Sequence, residues 1–384
     1  MRQRIPTPAS LITGSSSCIQ LVDDFLPKTR LIFPTPLPDK NFYIPYVAKF
    51  SPHDFLRIAA AGEKGRIAFI RGDLAIQSED TFFSINSMTV ADNAIYDLVF
   101  LENDKSIICI GSGDQTVRFI DSTTFKPIST HLYHKGTPQT LACFNDGVLS
   151  GGRDGQVCFW DRKNPTKPAY SVQMKNSAVV SSVVTPTNDI FITGDSQGRI
   201  FAWDPRNLKS PFHVPIQKTE NNVRTPIVNL SISPNGKMMS AITANDTLNI
   251  FSLDGEWRYY SFHWSKIGAF FGRACFSPDS RYIATGSGNG TVCCFSIANN
   301  KQPVSLLGHT APSTCIEWCK DMFEVILSCS DDKTIQLWVA EPEPAKEDEP
   351  EIAPYVPGSD EGAFNSTFER QPSVTKVYTL HHFL

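Results

Sequence analysis

One pattern recurs along this 384-residue chain and constrains it more than any other feature. The clearest copy covers residues 189–206. A short apolar run (190–193) meets a tight polar turn (194–198), a second apolar run (199–203) follows, and the copy closes on Trp203-Asp204-Pro205-Arg206. Strong copies lie at 106–121, 147–161, 282–295 and 325–338, and weaker ones at 57–70 and 237–251. They stand roughly 40 residues apart, so each is one supersecondary unit of a repeating architecture. A unit of that size cannot bury its own apolar faces and must stack on its neighbours.

Each repeat follows one order. An apolar run comes first, at 95–100, 179–184, 228–232 or 274–276. Turn formers follow, such as Ser233-Pro-Asn-Gly236 and Ser277-Pro-Asp-Ser280; Pro presets φ and Asn-Gly accepts positive φ. Two inner strands come next, then an outer strand, expected at 169–174, 212–216, 257–263 and 303–307. Apolar residues on both faces of the inner strands require a sheet packed between two other sheets. The expected fold is therefore all-β, a seven-bladed propeller over residues 45–340, whose closure leaves only short edges. Residues 1–44 are rich in Pro, Ser and Thr, and 341–384 are acidic and Pro-rich, so both ends are expected to be disordered extensions. No fourth strand follows Trp338. Residues 17–25 are the expected latch for the last blade, with 374–380 as the alternative.

Composition narrows the function. The hydrophobic fraction of 41% is ample for a core, and a net charge of −4 without a long basic run argues against charge-driven nucleic-acid binding. Of ten cysteines, Cys109, Cys158, Cys293 and Cys294 fall inside expected strands as small apolar residues, and no CxxC pair occurs. A reducing compartment is expected, with no metal and no cofactor. No run suits a signal peptide or a bilayer span. Phosphate-loop, dinucleotide and zinc-protease motifs are missing, so a non-catalytic protein is expected.

Four features carry candidate roles. Asp114, Asp154 and Asp332 each stand six residues before the position held by Ile120, Trp160 and Trp338. Such an aspartate can accept hydrogen bonds from turn amides and from a histidine on the adjoining segment. His309, Ser328, Asp332 and Trp338 form the expected network of the last blade, and His134 serves the third. A His-Ser-Asp trio invites a catalytic reading, but it repeats with the blade and no strained nucleophile turn accompanies it. Gln197, Asn245 and Asn289 replace Asp elsewhere, so those turns are expected to be more weakly tied. Second, Arg206 stands just past an inner strand, at one rim. It is either an interface anchor or a partner of Asp204 that caps the turn. Third, residues 257–264 with Phe270 and Phe271 are an aromatic run expected to pack between blades; Trp264, Lys266 and Phe270 would form a peptide patch if their loop is exposed. Fourth, the chain ends on Leu380-His-His-Phe383-Leu384.

Across residues 45–338 the repeats resemble the WD-repeat family. Within it, Trp203-Asp204-Pro205-Arg206 is similar to the box of substrate receptors of cullin-4 RING ubiquitin ligases, whose arginine contacts the damaged-DNA-binding-protein adaptor. The runs 92–100, 113–121 and 151–161 resemble consecutive blades of denticleless-type receptors, which direct ubiquitin transfer to cell-cycle and replication proteins on the sliding clamp. The resemblance implies adaptor contacts at Trp203, Asp204 and Arg206, and at Asp161, Arg162 and Lys163. It also implies degron-bearing substrates and a nuclear location with a cytoplasmic pool. The third blade departs from the box, with its arginine one place early and Lys163 at the box position. The tail matches a clamp-binding peptide at Leu380, Phe383 and Leu384 but has Val377 where Gln belongs. A scaffold for a chromatin or signalling complex is the alternative function.

Overall fold

Each repeat folds as a four-stranded antiparallel sheet, and seven such sheets are present. The computed structural model describes residues 25–32, 43–54, 57–71, 86–162, 167–214, 224–254, 257, 259–263, 272–298, 303–323 and 325–340. Strand β1 is Phe25–Ile32. Blade 1 holds β2 (Pro45–Phe50), β3 (Arg57–Gly62), β4 (Arg66–Arg71) and β5 (Asn86–Thr89). Blade 2 holds β6 (Ile95–Phe100), β7 (Ile107–Ser112), β8 (Thr116–Asp121) and β9 (Pro127–Leu132). Blade 3 holds β10 (Pro138–Phe144), β11 (Gly147–Gly152), β12 (Gln156–Asp161) and β13 (Tyr170–Gln173). Blade 4 holds β14 (Val179–Val184), β15 (Phe191–Asp195), β16 (Ile200–Asp204) and β17 (Asn207–Val214). Blade 5 holds β18 (Ile227–Ile232), β19 (Met238–Thr243), β20 (Thr247–Ser252) and β21 (Tyr259–His263). Blade 6 holds β22 (Ala274–Phe276), β23 (Tyr282–Gly286), β24 (Val292–Ser296) and β25 (Val304–Leu306). Blade 7 holds β26 (Ser313–Trp318), β27 (Val325–Ser330) and β28 (Thr334–Ala340), with β1 as its outer strand.

The first strands of successive blades touch in order, and β26 returns to β2, which closes the ring. Second strands are covered on both faces: β11, β19 and β27 are buried at every position. Outer strands such as β9 and β13 are half-exposed. The antiparallel order fixes two rims. The lower rim carries the connections from first to second and from third to fourth strand. The upper rim carries the turns between second and third strands and the passages between blades.

A register shift recurs at the start of the first strand, seen at 45/47, 95/97, 138/140, 179/181, 227/229 and 313/315. A bulge leaves one residue unpaired and re-aims its side chain. Here the bulged residues are Tyr46, Tyr96, Gln139, Val180, Val228 and Thr314, and all of them line the central cavity.

The latch comes from the N-terminal end, but from β1 rather than residues 17–25; residues 17–24 and 374–380 lie outside the described residues. β1 pairs antiparallel with β28 from Phe25↔Ala340 to Ile32↔Thr334, with a shift between Pro27 and Thr29. The expected run stopped short of Pro27. An outer strand accepts proline at a bulge, because no ladder bond is lost there. Without β1, β28 would be an open edge of the kind that pairs with other chains. Deleting residues 1–32 is expected to lower stability by about 3 kcal/mol or more and to promote self-association; thermal unfolding and light scattering read the two effects.

Candidate docking rim and central channel

Blades 3 and 7 carry the same buried hydrogen-bond chain at the upper rim. In blade 7, His309 Nε2 lies 2.7 Å from Ser328 Oγ, and Nδ1 lies 3.1 Å from Asp332 Oδ2. Trp338 Nε1 donates to the same Ser328 Oγ at 2.8 Å. Asp332 also accepts the amides of Thr310 (2.9 Å) and Thr334 (3.0 Å). Blade 3 repeats this with His134, Ser150, Asp154 and Trp160: Nε2–Ser150 Oγ is 2.7 Å, Nδ1–Asp154 Oδ2 is 3.1 Å and Trp160 Nε1 reaches Ser150 at 2.8 Å. Trp160 and Trp338 are fully buried, and an unpartnered indole N–H there would cost about 1–3 kcal/mol. Burial alone would raise the Asp332 carboxyl, but hydrogen bonds from His309 and Thr334 outweigh it and hold the group well below the usual carboxylate range. Asp154 is lowered by the same balance, with His134 and the Gln156 amide opposing burial.

The other blades solve the same turn differently. Asp114 has no histidine; Arg118 Nη2 lies 2.7 Å from Asp114 Oδ2, and Arg118 Nη1 donates to Val90 O at 2.9 Å. In blade 4, where Gln197 replaces Asp, the turn is not weakly tied. Asp195, fully buried, accepts the amides of Gln197 (3.0 Å) and Arg199 (2.8 Å), and Arg199 Nε at 2.6 Å. Trp203 Nε1 donates to Thr193 Oγ1 at 2.8 Å. Asp195 occupies the position that Gly152 holds in blade 3. A Cβ at 152 would lie 2.5 Å from Asp154 Oδ1 and 2.7 Å from His134 Nδ1. Gly152 therefore has no room for a side chain beside the His134–Asp154 pair, whereas blade 7 seats Ser330 at the same position next to His309 and Asp332. The sequence signal was the carboxylate four residues before Arg199, which a search for Asp at position 197 passes over.

At the lower rim, Trp203-Asp204-Pro205-Arg206 forms a tight hairpin. Asp204 pairs with Asn207, so Pro205 and Arg206 are the two turn residues. The outer strand thus begins at Asn207, not at 212 as expected; Pro211 sits on an outer strand, where it is tolerated. Arg206 N donates to Asp204 Oδ1 (2.9 Å), and the guanidinium grips the carboxylate through Nε (2.9 Å) and Nη2 (2.8 Å). The side chain nevertheless remains 83% exposed. The pairing with Asp204 therefore leaves the guanidinium open: the carboxylate orients the fork without covering it. Asp204 is lowered by those hydrogen bonds from Arg206. On blade 3, Arg162 Nη1 lies 2.8 Å from Asp104 Oδ2 of blade 2. Asp161 is half-buried at the end of β12. Lys163 lies outside the described residues, as do Trp264, Lys266, Phe270, Leu380, Phe383 and Leu384. Trp257 is buried and stacks on Phe212 with centroids 5.7 Å apart.

The central cavity measures about 780 Å³ and is lined by all seven first strands. Arg273, just before β22, crosses it to blade 2: Nη1 lies 2.6 Å from Asp97 Oδ1 and Nη2 donates to Tyr96 O at 2.7 Å. Asp97 also accepts the amides of Leu98 (2.9 Å) and Leu141 (2.7 Å). The strut ties together blades that are far apart in sequence. At the upper mouth, Tyr46 and Tyr96 lie with ring centroids 5.7 Å apart. Among the described residues no group of three or more His, Cys, Asp or Glu side chains is placed to hold a metal.

The profile of the WD domain, G-beta repeat, matches residues 271–296 and 300–339, within blades 6 and 7. With seven stacked sheets in a closed ring, the chain is a WD-repeat β-propeller. More particularly, it is denticleless-like. It is 25% identical over 290 residues to the Denticleless protein homolog of Danio rerio, covering 64% of this chain and 44% of the relative. The Homo sapiens Denticleless protein homolog is 24% identical over 292 residues, covering 64% and 40%. Protein lethal(2)denticleless of Drosophila melanogaster is 22% identical over 350 residues, covering 78% and 45%. The chain thus spans less than half the length of these relatives.

The Asp332 network makes a pH-dependent contribution. A carboxyl whose folded pKa is depressed stabilises above its unfolded pKa, near 4, and that stability is lost as pH falls below it. Asp332→Asn is expected to cost about 1–3 kcal/mol at pH 7. The difference from wild type should shrink as pH drops below about 4; unfolding midpoints measured across pH 7 to 3 check this.

Proposed function

We propose that the chain is a non-catalytic substrate receptor of a cullin-4 RING ubiquitin ligase. Its lower rim docks on the damaged-DNA-binding-protein adaptor. The observation that carries this reading is Arg206, set on a two-residue hairpin tip, oriented by Asp204 and 83% exposed. A preorganised, exposed guanidinium fork is a good anchor for a protein interface. The likeness to denticleless proteins supports the same reading.

The opposite rim then faces the substrate. A degron peptide sits at the upper mouth of the channel, among the bulged residues around Tyr46 and Tyr96. The receptor performs no chemistry; it raises the effective concentration of substrate lysines near a charged conjugating enzyme. Its substrates are cell-cycle and replication proteins, its location is nuclear with a cytoplasmic pool, and Leu380, Phe383 and Leu384 contact the sliding clamp.

Arg206→Ala is expected to weaken adaptor binding by at least about tenfold, read by titration calorimetry or by co-capture of cullin-4. Unchanged binding, or capture of chromatin or signalling subunits without the adaptor, selects the scaffold alternative instead.

A further inference from the structure

The loops of the lower rim are stitched from blade to blade. His53 Nε2 of blade 1 lies 3.0 Å from Leu101 O of blade 2. Asn103 Nδ2 of blade 2 donates to Asp146 Oδ1 of blade 3 at 2.6 Å. Asn145 N of blade 3 donates to Asn188 Oδ1 of blade 4 at 3.3 Å. Arg162 runs the other way and reaches back from blade 3 to Asp104, between β6 and β7.

That backward link bears on the shifted box. In blade 4 the arginine takes its carboxylate from two residues earlier, Asp204. In blade 3 the arginine comes one place early, so the residue two before it is Trp160, which is wholly buried. The motif cannot supply the carboxylate that orients Arg162 in the same way. Blade 2 supplies one. Asp104 is already fixed in place, since Oδ1 accepts Ser106 N at 3.0 Å and Ser106 Oγ at 2.6 Å, which leaves Oδ2 for the guanidinium at 2.8 Å. An Asx turn of this kind orients the carboxylate before any partner arrives. Hydrogen bonds from Ser106, then the charge of Arg162, keep the Asp104 carboxyl below its ordinary range, so it stays ionised near neutral pH. Arg162 keeps 39% of its side chain exposed, enough to meet a partner surface.

We propose that Asp104 is a positioning residue for adaptor docking: it orients Arg162 on the lower rim beside the Arg206 hairpin and extends the adaptor footprint from blades 3 and 4 to blade 2. The proposal rests on the adaptor reading above and adds a residue from outside the box. Blade 2 therefore completes the second anchor, and the one-residue shift in blade 3 is compensated in space rather than in sequence.

Titration of the purified full chain with purified adaptor tests this at fixed salt. Asp104→Asn keeps a side-chain carbonyl for Ser106 but removes the charge. It is expected to weaken binding by about fivefold to tenfold, as Arg162→Ala does, with an unchanged melting temperature. The Asp104→Asn/Arg162→Ala double variant should lose no more than either single variant, because one interaction is removed in each case. Asp104→Glu should restore part of the loss. Wild-type binding by Asp104→Asn, or a double variant whose loss is the product of the single losses, overturns the inference while leaving the adaptor reading intact. Absence of wild-type binding, or an Arg206→Ala variant that binds as wild type, overturns the adaptor reading and this inference with it.

Discussion

Every blade of this ring depends on being covered on both faces. A single four-stranded sheet exposes two apolar surfaces, and only stacking against two neighbours removes both from water. Closure is therefore not an ornament of the fold. If the ring opened at one point, two blades would each expose a face, and the second strands that are now buried along their whole length would meet solvent. The β1–β28 pairing closes that point with a strand from the far end of the chain. The Arg273–Asp97 strut works on the same problem from inside, tying blade 6 to blade 2 across the channel.

Burial on both faces drives polar chemistry to the rims, and the two rims have diverged. At the upper rim, polar side chains are spent on the turns. His309, Asp332, Ser328 and Trp338 form one chain from the turn to the sheet, and Asp195 with Arg199 ties its own turn by another route. A buried network of this kind specifies geometry only when each member finds a partner. At the lower rim, the charged groups at the candidate anchors stay near solvent: Arg206 and Arg162 are oriented by carboxylates yet remain accessible. Asp332 and Asp195 are thus held inside turns of the upper rim, while Arg206 and Arg162 are displayed at the lower one.

Much of this was legible in the sequence, for a physical reason. Strand placement follows from local apolar runs and turn formers, which act over a few residues. The first strands at 95–100, 179–184 and 274–276 match β6, β14 and β22 residue for residue. The partners of His309 were readable because the Asp-to-Trp spacing is fixed by one hairpin. What was not legible depends on tertiary context. Prolines at 27 and 211 look like strand breakers until the strand is known to be an outer one. Asp195 looks like a turn residue until its partners are seen: two turn amides and the Arg199 side chain close on its buried carboxylate. The Arg162–Asp104 pair joins two blades, and nothing in either segment names the other.

The hairpin at 203–206 shows how one short motif can serve fold and display together. Trp203 anchors it by burying its ring and donating to Thr193. Pro205 fixes φ at the first turn position, so the chain reverses within two residues. Asp204 then accepts the Arg206 amide and grips the guanidinium two residues on, and the bidentate grip narrows the directions that fork can take. An exposed ion pair of this kind adds little to stability. Its consequence lies in conformational entropy: a side chain already confined to one orientation loses less freedom when a partner surface arrives. A lone arginine on a longer loop would carry the same charge without that confinement, so the turn, rather than the charge, is what preorganises the fork.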